Sequence, residues 1–415
     1  MSFNPFEEKG GKVDSFYFWK ELSLTPYDKH EVDPYTKTRI ILMNGTEFEA
    51  TWFSHQMSRH TGDNDLRREI AMLRRTEQQQ QKRISSLKPF DESVLETTIG
   101  YEQLAVDLTA ALGAHEPDKY VKAALDFALL EDFDHLYRYA DLLNMEQGVD
   151  AKTLVGGYTE IMPGRPTISE HRFPKDDIRR FIINGAAAPI TRLNVGIITA
   201  AEQQTMNYYM NVGSVVGTPE ARKLYTEIAM IEEEHVTHYG SLIDTGCTWL
   251  EGLVEHEYTE CYLYYSCMLD ETDKHIKKIW EQHLEQEIGH LHHAAELLQK
   301  YEGKEWGELL GKGAFPEPLK LHSNIDYVRD VIAETVNLTT RKEDYVLVKD
   351  LPSSSDFFKF QRMVNGGDIE GVSSHDVVQT YMDTFGEDYR YQVDDHPIPA
   401  LRNRSKDCTS VGRQA

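Results

Sequence analysis

Three short motifs in the chain combine side chains able to do chemistry at a spacing that brings them together. They are Asp132-x-x-His135, Glu232-x-x-His235 and Glu287-x-x-His290. On a helix, positions i and i+3 share one face with Cβ atoms about 5–6 Å apart, so each motif presents a carboxylate and an imidazole side by side. Such a pair can bind one metal ion or share two. Each His also has a glutamate 33 residues upstream: Glu102, Glu202 and Glu257. After each His the apolar pattern repeats, with an aliphatic residue next (Leu136, Val236, Leu291) and leucine seven on (Leu142, Leu242, Leu297). The first two copies lie 100 residues apart and share Glu102-Gln103 and Glu202-Gln203. In a chain with 69 acids and 17 histidines, roughly three acid-x-x-His matches arise by chance, so the motif alone is weak. An acid at one fixed upstream offset in all three has a chance probability of about 0.5%.

In these motifs the chain resembles the ferritin-like, carboxylate-bridged dimetal superfamily, nearer in style to rubrerythrins than to ferritins. The resemblance extends over about residues 92–300. It implies an all-α, ferritin-like helical bundle with a buried site for two metal ions, iron or sometimes manganese. It also implies oxidoreductase chemistry on dioxygen or peroxide. Each half of such a site takes a Glu from one helix and a Glu-x-x-His from its neighbour. That ligand pattern carries onto Glu202, Glu232 and His235, and onto Glu257, Glu287 and His290. It carries onto Glu102, Asp132 and His135 with one departure, Asp where Glu is usual. Two half-sites suffice, and three are present. Repeat two enters the site under either pairing. The all-Glu third repeat is favoured over the first as its partner, and a cluster of all three stays open. Glu260 shares a helical face with Glu257; the 33-residue spacing favours Glu257.

The elements that must position these residues are long helices. Residues 92–302 read as the bundle, with helices at about 93–112, 118–143, 191–212, 219–242, 250–269 and 272–301. Glu102 and His135 flank the turn near Pro117 at similar distances, which puts them at similar heights on antiparallel helices. A Pro- and Gly-containing crossover spans about 148–188, holding at most a short helix over 176–183; such a crossover returns the chain to the end where the second helix pair begins. Residues 1–91 read as a wrapping arm followed by helices at about 36–59 and 65–87. The Gln78–Gln81 run reads as a solvated helix face. His55 and His60 read as structural. Of the extra imidazoles, His238, His283, His292 and His293 are assigned to the surface or the surroundings of the ligands. The tyrosines near the ligands (Tyr208, Tyr209, Tyr239, Tyr264, Tyr265) are assigned mostly to the core, with a hydrogen bond from one of them to a ligand carboxylate as the functional alternative. Residues 303–415 read as an accessory region with short helices at about 325–338, 356–364 and 375–385, a strand at 345–349 and a tail from His396.

Composition narrows the function. The net charge of −25 argues against nucleic acid and anionic membrane surfaces as partners. The four cysteines, Cys247, Cys261, Cys267 and Cys408, form no Cys-x-x-Cys pair. An iron–tetracysteine domain is therefore not expected, and an external electron donor is. No apolar leader and no long apolar run stands out, so a soluble, cytoplasmic protein is expected, with homo-oligomerisation open. No Gly-rich phosphate loop or dinucleotide fingerprint is present. The alternatives to a redox enzyme are metal storage or sensing without turnover, and a helical scaffold with a vestigial site, to which Asp132 is the pointer.

Overall fold

Seven of the eight long helices begin where a side chain takes over for the missing intrahelical acceptor. In the computed structural model, which describes residues 2–164, 171–366, 372–386 and 396–401, Asp33 accepts from the Tyr35 amide to open α1 (Pro34–His60), and Asp63 opens α2 (Asn64–Ser85). Ser93 and Glu96 form a capping box at α3 (Val94–His115), and Asp118 caps α4 (Lys119–Gln147). The short α5 (Ala151–Val155) follows. Next come α6 (Pro189–Val212) and α7 (Pro219–Gly240), the latter capped by Thr218. A second capping box, Thr248 with Glu251, opens α8 (Trp249–Asp270), and Asp273 caps α9 (Lys274–Glu302). Gly148 and Gly303 end α4 and α9 at φ of 66° and 69°, the left-handed conformation that glycine adopts without a Cβ penalty. The remaining described helices are α10 (Trp306–Leu310), α11 (Ile325–Thr335), α12 (Asp356–Val364) and α13 (Ser373–Phe385). Among the described residues the fold is all-α apart from one antiparallel hairpin, β1 (Leu338–Arg341) with β2 (Asp344–Leu347).

Two compact units form from discontinuous stretches. The first takes residues up to 92, 182–204 and 243–321; the second takes 93–181, 205–242 and the described residues from 322 onward. The sequence reading divides the chain linearly at 91 and 302, whereas these units close over distant segments. In the first unit α1 packs on α2, α2 on α9, α9 on α8 and α8 on α1, a closed ring of four helices. In the second, α3 packs on α4 and α4 on α7, while α11 and α13 lie against α4. Over 176–183, where at most a short helix is expected, none forms; a 3-10 turn at Pro174–Asp176 precedes the stretch. The helix expected to reach 338 stops at Thr335, because Leu338–Arg341 pairs with Asp344–Leu347 instead. The expected tail lies mostly outside the described residues, but His396 is buried and its Nε2 lies 2.7 Å from the Pro163 carbonyl. Among the described residues no helix is long and apolar enough to cross a membrane.

One contact fixes the N-terminal arm on the first unit's bundle, and another ties the bundle's helices together. The N-terminal arm crosses α9 at a point where only glycine fits. A Cβ on Gly289 would lie 2.2 Å from the Gly11 carbonyl oxygen, and the Gly11 amide donates to the Glu285 carbonyl at 2.6 Å. Gly289→Ala should therefore cost about 1–3 kcal/mol, read as a lower denaturation midpoint, and should expose the arm to limited proteolysis. The second contact is the Glu271 carboxylate. It accepts from Arg39 Nε at 3.0 Å, Thr36 Oγ1 at 2.6 Å and Trp280 Nε1 at 3.1 Å, tying α1, α8 and α9 together. Burial pushes its pKa up, but the Arg39 hydrogen bond and charge, Thr36 and the Asp273 amide outweigh this and hold it below the usual value. Its stabilisation is thus complete above the unfolded value of about 4.3 and is lost as pH falls through the depressed folded value. Glu271→Gln should cost about 2 kcal/mol at neutral pH, a gap that closes in urea melts below about pH 4.

Candidate metal centres

In the first unit, helix geometry alone brings ligands to one level. Glu47 lies thirteen residues before the end of α1 and Glu77 thirteen after the start of α2; Glu257 and Glu287 occupy the same places on α8 and α9. At 1.5 Å rise per residue, all four sit about 20 Å from their turns. With Glu260 and His290 they form a buried cluster, none of the six more than 2% exposed. Ligand atoms of Glu77, Glu257, Glu287 and His290 lie within 4.8 Å of one another, as do those of Glu47, Glu77 and Glu260, so Glu77 belongs to both groups. His290 Nδ1 is 2.8 Å from Glu77 Oε1 and 3.0 Å from Glu287 Oε2. Gln80 Nε2 donates to Glu287 and the Tyr264 hydroxyl donates to Glu47. Behind Tyr264, Arg83 Nε donates to His283 Nε2 at 3.2 Å, which leaves the Nδ1 proton of His283 for the Tyr264 oxygen, 3.0 Å away.

The second unit holds a distinct cluster. His135 Nδ1 lies 3.0 Å from Glu232 Oε1, and His235 Nδ1 lies 3.3 Å from both Glu232 Oε2 and Asp132 Oδ1. Ligand atoms of Glu102, His135 and Glu232 converge within 4.8 Å, and Tyr209 donates to Glu102. His235 Nε2 is 2.7 Å from Glu131, whose other oxygen is held by Arg172. Arg172 in turn donates to Asp177 at 2.7 Å. A carboxylate behind an imidazole fixes the tautomer and turns the other ring nitrogen toward the ligand position.

The structure therefore sorts the nine expected residues. Glu102, Asp132, His135, Glu232 and His235 come together in the second unit. Glu257, Glu287 and His290 sit in the first, where they meet Glu77. Glu202 is buried on α6, within the stretch that groups with the first unit. The choice between Glu257 and Glu260 dissolves, because both are buried in the cluster. Tyr209 donates to Glu102, one of the nine, and Tyr264 to Glu47, which is not among them.

Glu47, Glu77 and Gln80 escape a search for acid-x-x-His because Gln80 stands where the His would be. The Gln78–Gln81 run reads as solvated, yet Gln80 is fully buried. A usable signal exists. Glu47 precedes Gln80 by the same 33 residues, and a shift of 155 carries Glu47, Glu77 and Gln80 onto Glu202, Glu232 and His235. The same shift carries Glu102, Asp132 and His135 onto Glu257, Glu287 and His290, Ser93 onto Thr248, Asp118 onto Asp273 and Gly148 onto Gly303.

Five carboxylates and one imidazole in a buried helical core cannot all stay charged without a compensating proton or cation. Burial, and then the surrounding glutamates, push Glu47 and Glu260 well above the usual carboxylate range, and burial with Glu77 does the same to Glu257. For Glu77 burial is outweighed by His290, which holds it low. Both oxygens of Glu260, Oε2 of Glu47 and Oε2 of Glu257 accept no hydrogen bond. In the second unit burial raises Glu232, but His135 and His235 outweigh it and leave its pKa depressed. Oxygen-rich ligands with a few imidazoles suit iron or manganese better than soft metals. The donor set and the orphaned oxygens of the first cluster fit a pair of such ions. Comparison of the chain with family models, characterised proteins and solved structures finds no match.

Protons held by the raised carboxyls must leave when a metal enters. Adding Mn(II) to metal-free protein should release protons into a weakly buffered indicator solution. Its apparent affinity should weaken about tenfold or more per unit as pH drops from about 7 to 5.

Proposed function

We propose that the chain is a non-haem dimetal carboxylate protein with two separate centres, acting as an oxidoreductase on dioxygen or peroxide. The observation that carries this reading is the first unit's cluster, in which six buried ligand-type side chains from four helices converge. Glu47, Glu77, Glu257, Glu260, Glu287 and His290 would hold one pair of ions; Glu102, Asp132, His135, Glu232 and His235 would hold ions in the second unit. Iron or manganese bound there would supply the redox equivalents for dioxygen or peroxide.

The protein's own part is positioning and proton control. Glu77 and Glu232 each face two sets of ligand atoms, the place for a shared carboxylate. Gln80 pins one Glu287 oxygen, and Tyr264 and Tyr209 hold Glu47 and Glu102 by hydroxyl protons. The Arg83–His283–Tyr264 chain fixes the direction of the proton on Tyr264 toward Glu47. Electrons would come from an external donor.

The test is metal content after anaerobic reconstitution. Wild type should hold about four iron or manganese ions, Glu77→Ala about two, Glu232→Ala about two, and the double variant none. A wild-type chain that takes up no transition metal under these conditions refutes the reading.

A further inference from the structure

The glutamines of α2 divide by role. Gln78 is exposed. Gln79 ties down the N-terminal arm, accepting from the Tyr17 amide at 2.8 Å and donating to the Tyr17 carbonyl at 3.1 Å. Gln80 is fully buried, three residues after Glu77 and on the same face of the helix. Its Nε2 donates to Glu287 Oε1, a member of the carboxylate cluster. Its Oε1 is buried, and no group donates to it. A buried carbonyl oxygen without a partner is costly. The end of the amide, in hydrogen-bond contact with Glu287, is as near that carboxylate as two ligands of one ion are to each other. A half-turn of the terminal torsion exchanges the amide nitrogen and oxygen, so the side chain can present Oε1 to an ion held by Glu287.

The second unit marks the same position as a ligand's. The 155-residue shift that carries Glu77 onto Glu232 carries Gln80 onto His235, whose Nδ1 lies 3.3 Å from oxygens of Glu232 and Asp132. The donor sets diverge accordingly. The second unit offers two imidazoles, His135 and His235, with the carboxylates of Glu102, Asp132 and Glu232. The first offers one imidazole, His290, among five carboxylates and the Gln80 amide. Imidazole suits iron, whereas carboxylate and carbonyl oxygens suit manganese. We infer that Gln80 is a ligand of the first unit's centre through its amide oxygen, and that it makes this centre the manganese site of the chain and leaves the second the iron site. The inference rests on the dimetal reading and assigns a metal to each of its centres.

The test is competition between the two metals. The metal-free full chain is reconstituted without oxygen in equal excesses of Mn(II) and Fe(II), freed of unbound ions and assayed for both. Glu232→Ala isolates the first centre and Glu77→Ala the second. The Mn:Fe ratio retained should be about tenfold or more higher in Glu232→Ala than in Glu77→Ala. In the Glu232→Ala background, Gln80→His should draw the ratio about tenfold toward iron. Pulsed EPR of bound Mn(II) should then show a second imidazole nitrogen beside that of His290. Gln80→Leu, which removes the amide oxygen and adds no nitrogen, should also lower the ratio. Loss of both metals in equal proportion there would make Gln80 a support for Glu287 and overturn its role as a ligand. The reciprocal His235→Gln, in the Glu77→Ala background, should move the second centre toward manganese, which keeps the test decisive if Gln80→His does not fold. Equal ratios in the two single-centre variants overturn the inference, as do ratios that neither exchange moves. Those results leave the dimetal reading standing, whereas uptake of neither metal by wild type removes both.

Discussion

The constraint on which the rest of the structure depends is the burial of carboxylates inside helical bundles with too few cations to neutralise them. In the first unit five glutamates and one histidine meet out of reach of bulk solvent. Taking an ionised carboxylate out of water is costly unless it is paired, protonated or metal-bound. The surroundings treat the members differently. His290 stabilises charge on Glu77, whereas Glu47, Glu257 and Glu260 have mostly other carboxylates for company and are pushed toward the protonated form. A dry set of acids that cannot all ionise in the absence of a cation is poised to exchange protons for one.

The two clusters solve this problem with different chemistry. The second unit uses two imidazoles against fewer acids, and backs His235 with Glu131 and Arg172. Its histidine orientation is enforced from outside the cluster. The first unit has one histidine, whose Nε2 makes no hydrogen bond, and relies on the Tyr264–His283–Arg83 chain and on Gln80 to orient its carboxylates. Replacing an imidazole by the Gln80 amide removes a ligand nitrogen and leaves a more oxygen-rich site, the harder of the two in ligand character.

The 155-residue shift shows how one architecture serves both. Helix pairs α1–α2 and α3–α4 correspond in ligand positions to the pairs α6–α7 and α8–α9, and α2, α3 and α4 match α7, α8 and α9 in length and in the place of their capping residues. A carboxylate thirteen residues from the turn on each of two antiparallel helices reaches its partner at equal height whatever the intervening loop contains. The first bundle then closes by pairing α1–α2 with α8–α9, helices far apart in the chain.

What the sequence by itself determined is local. Acid-x-x-His spacing, capping residues such as Ser93, Thr248 and Asp118, and apolar periodicity fix which side chains share a helical face and where helices start, because these depend on interactions within about one turn. They located nearly every long helix and nine candidate ligands. Which helix pairs face each other was decided only by tertiary packing. Helix pairs alike in pattern are equally good partners by local criteria, and the choice rests on side-chain fit between segments more than a hundred residues apart. That is why Glu257, Glu287 and His290 meet Glu47 and Glu77 rather than the second repeat. It is also why Gln80, a surface residue by composition, lies buried against Glu287, and why the hairpin at Leu338–Leu347 replaces the end of an expected helix.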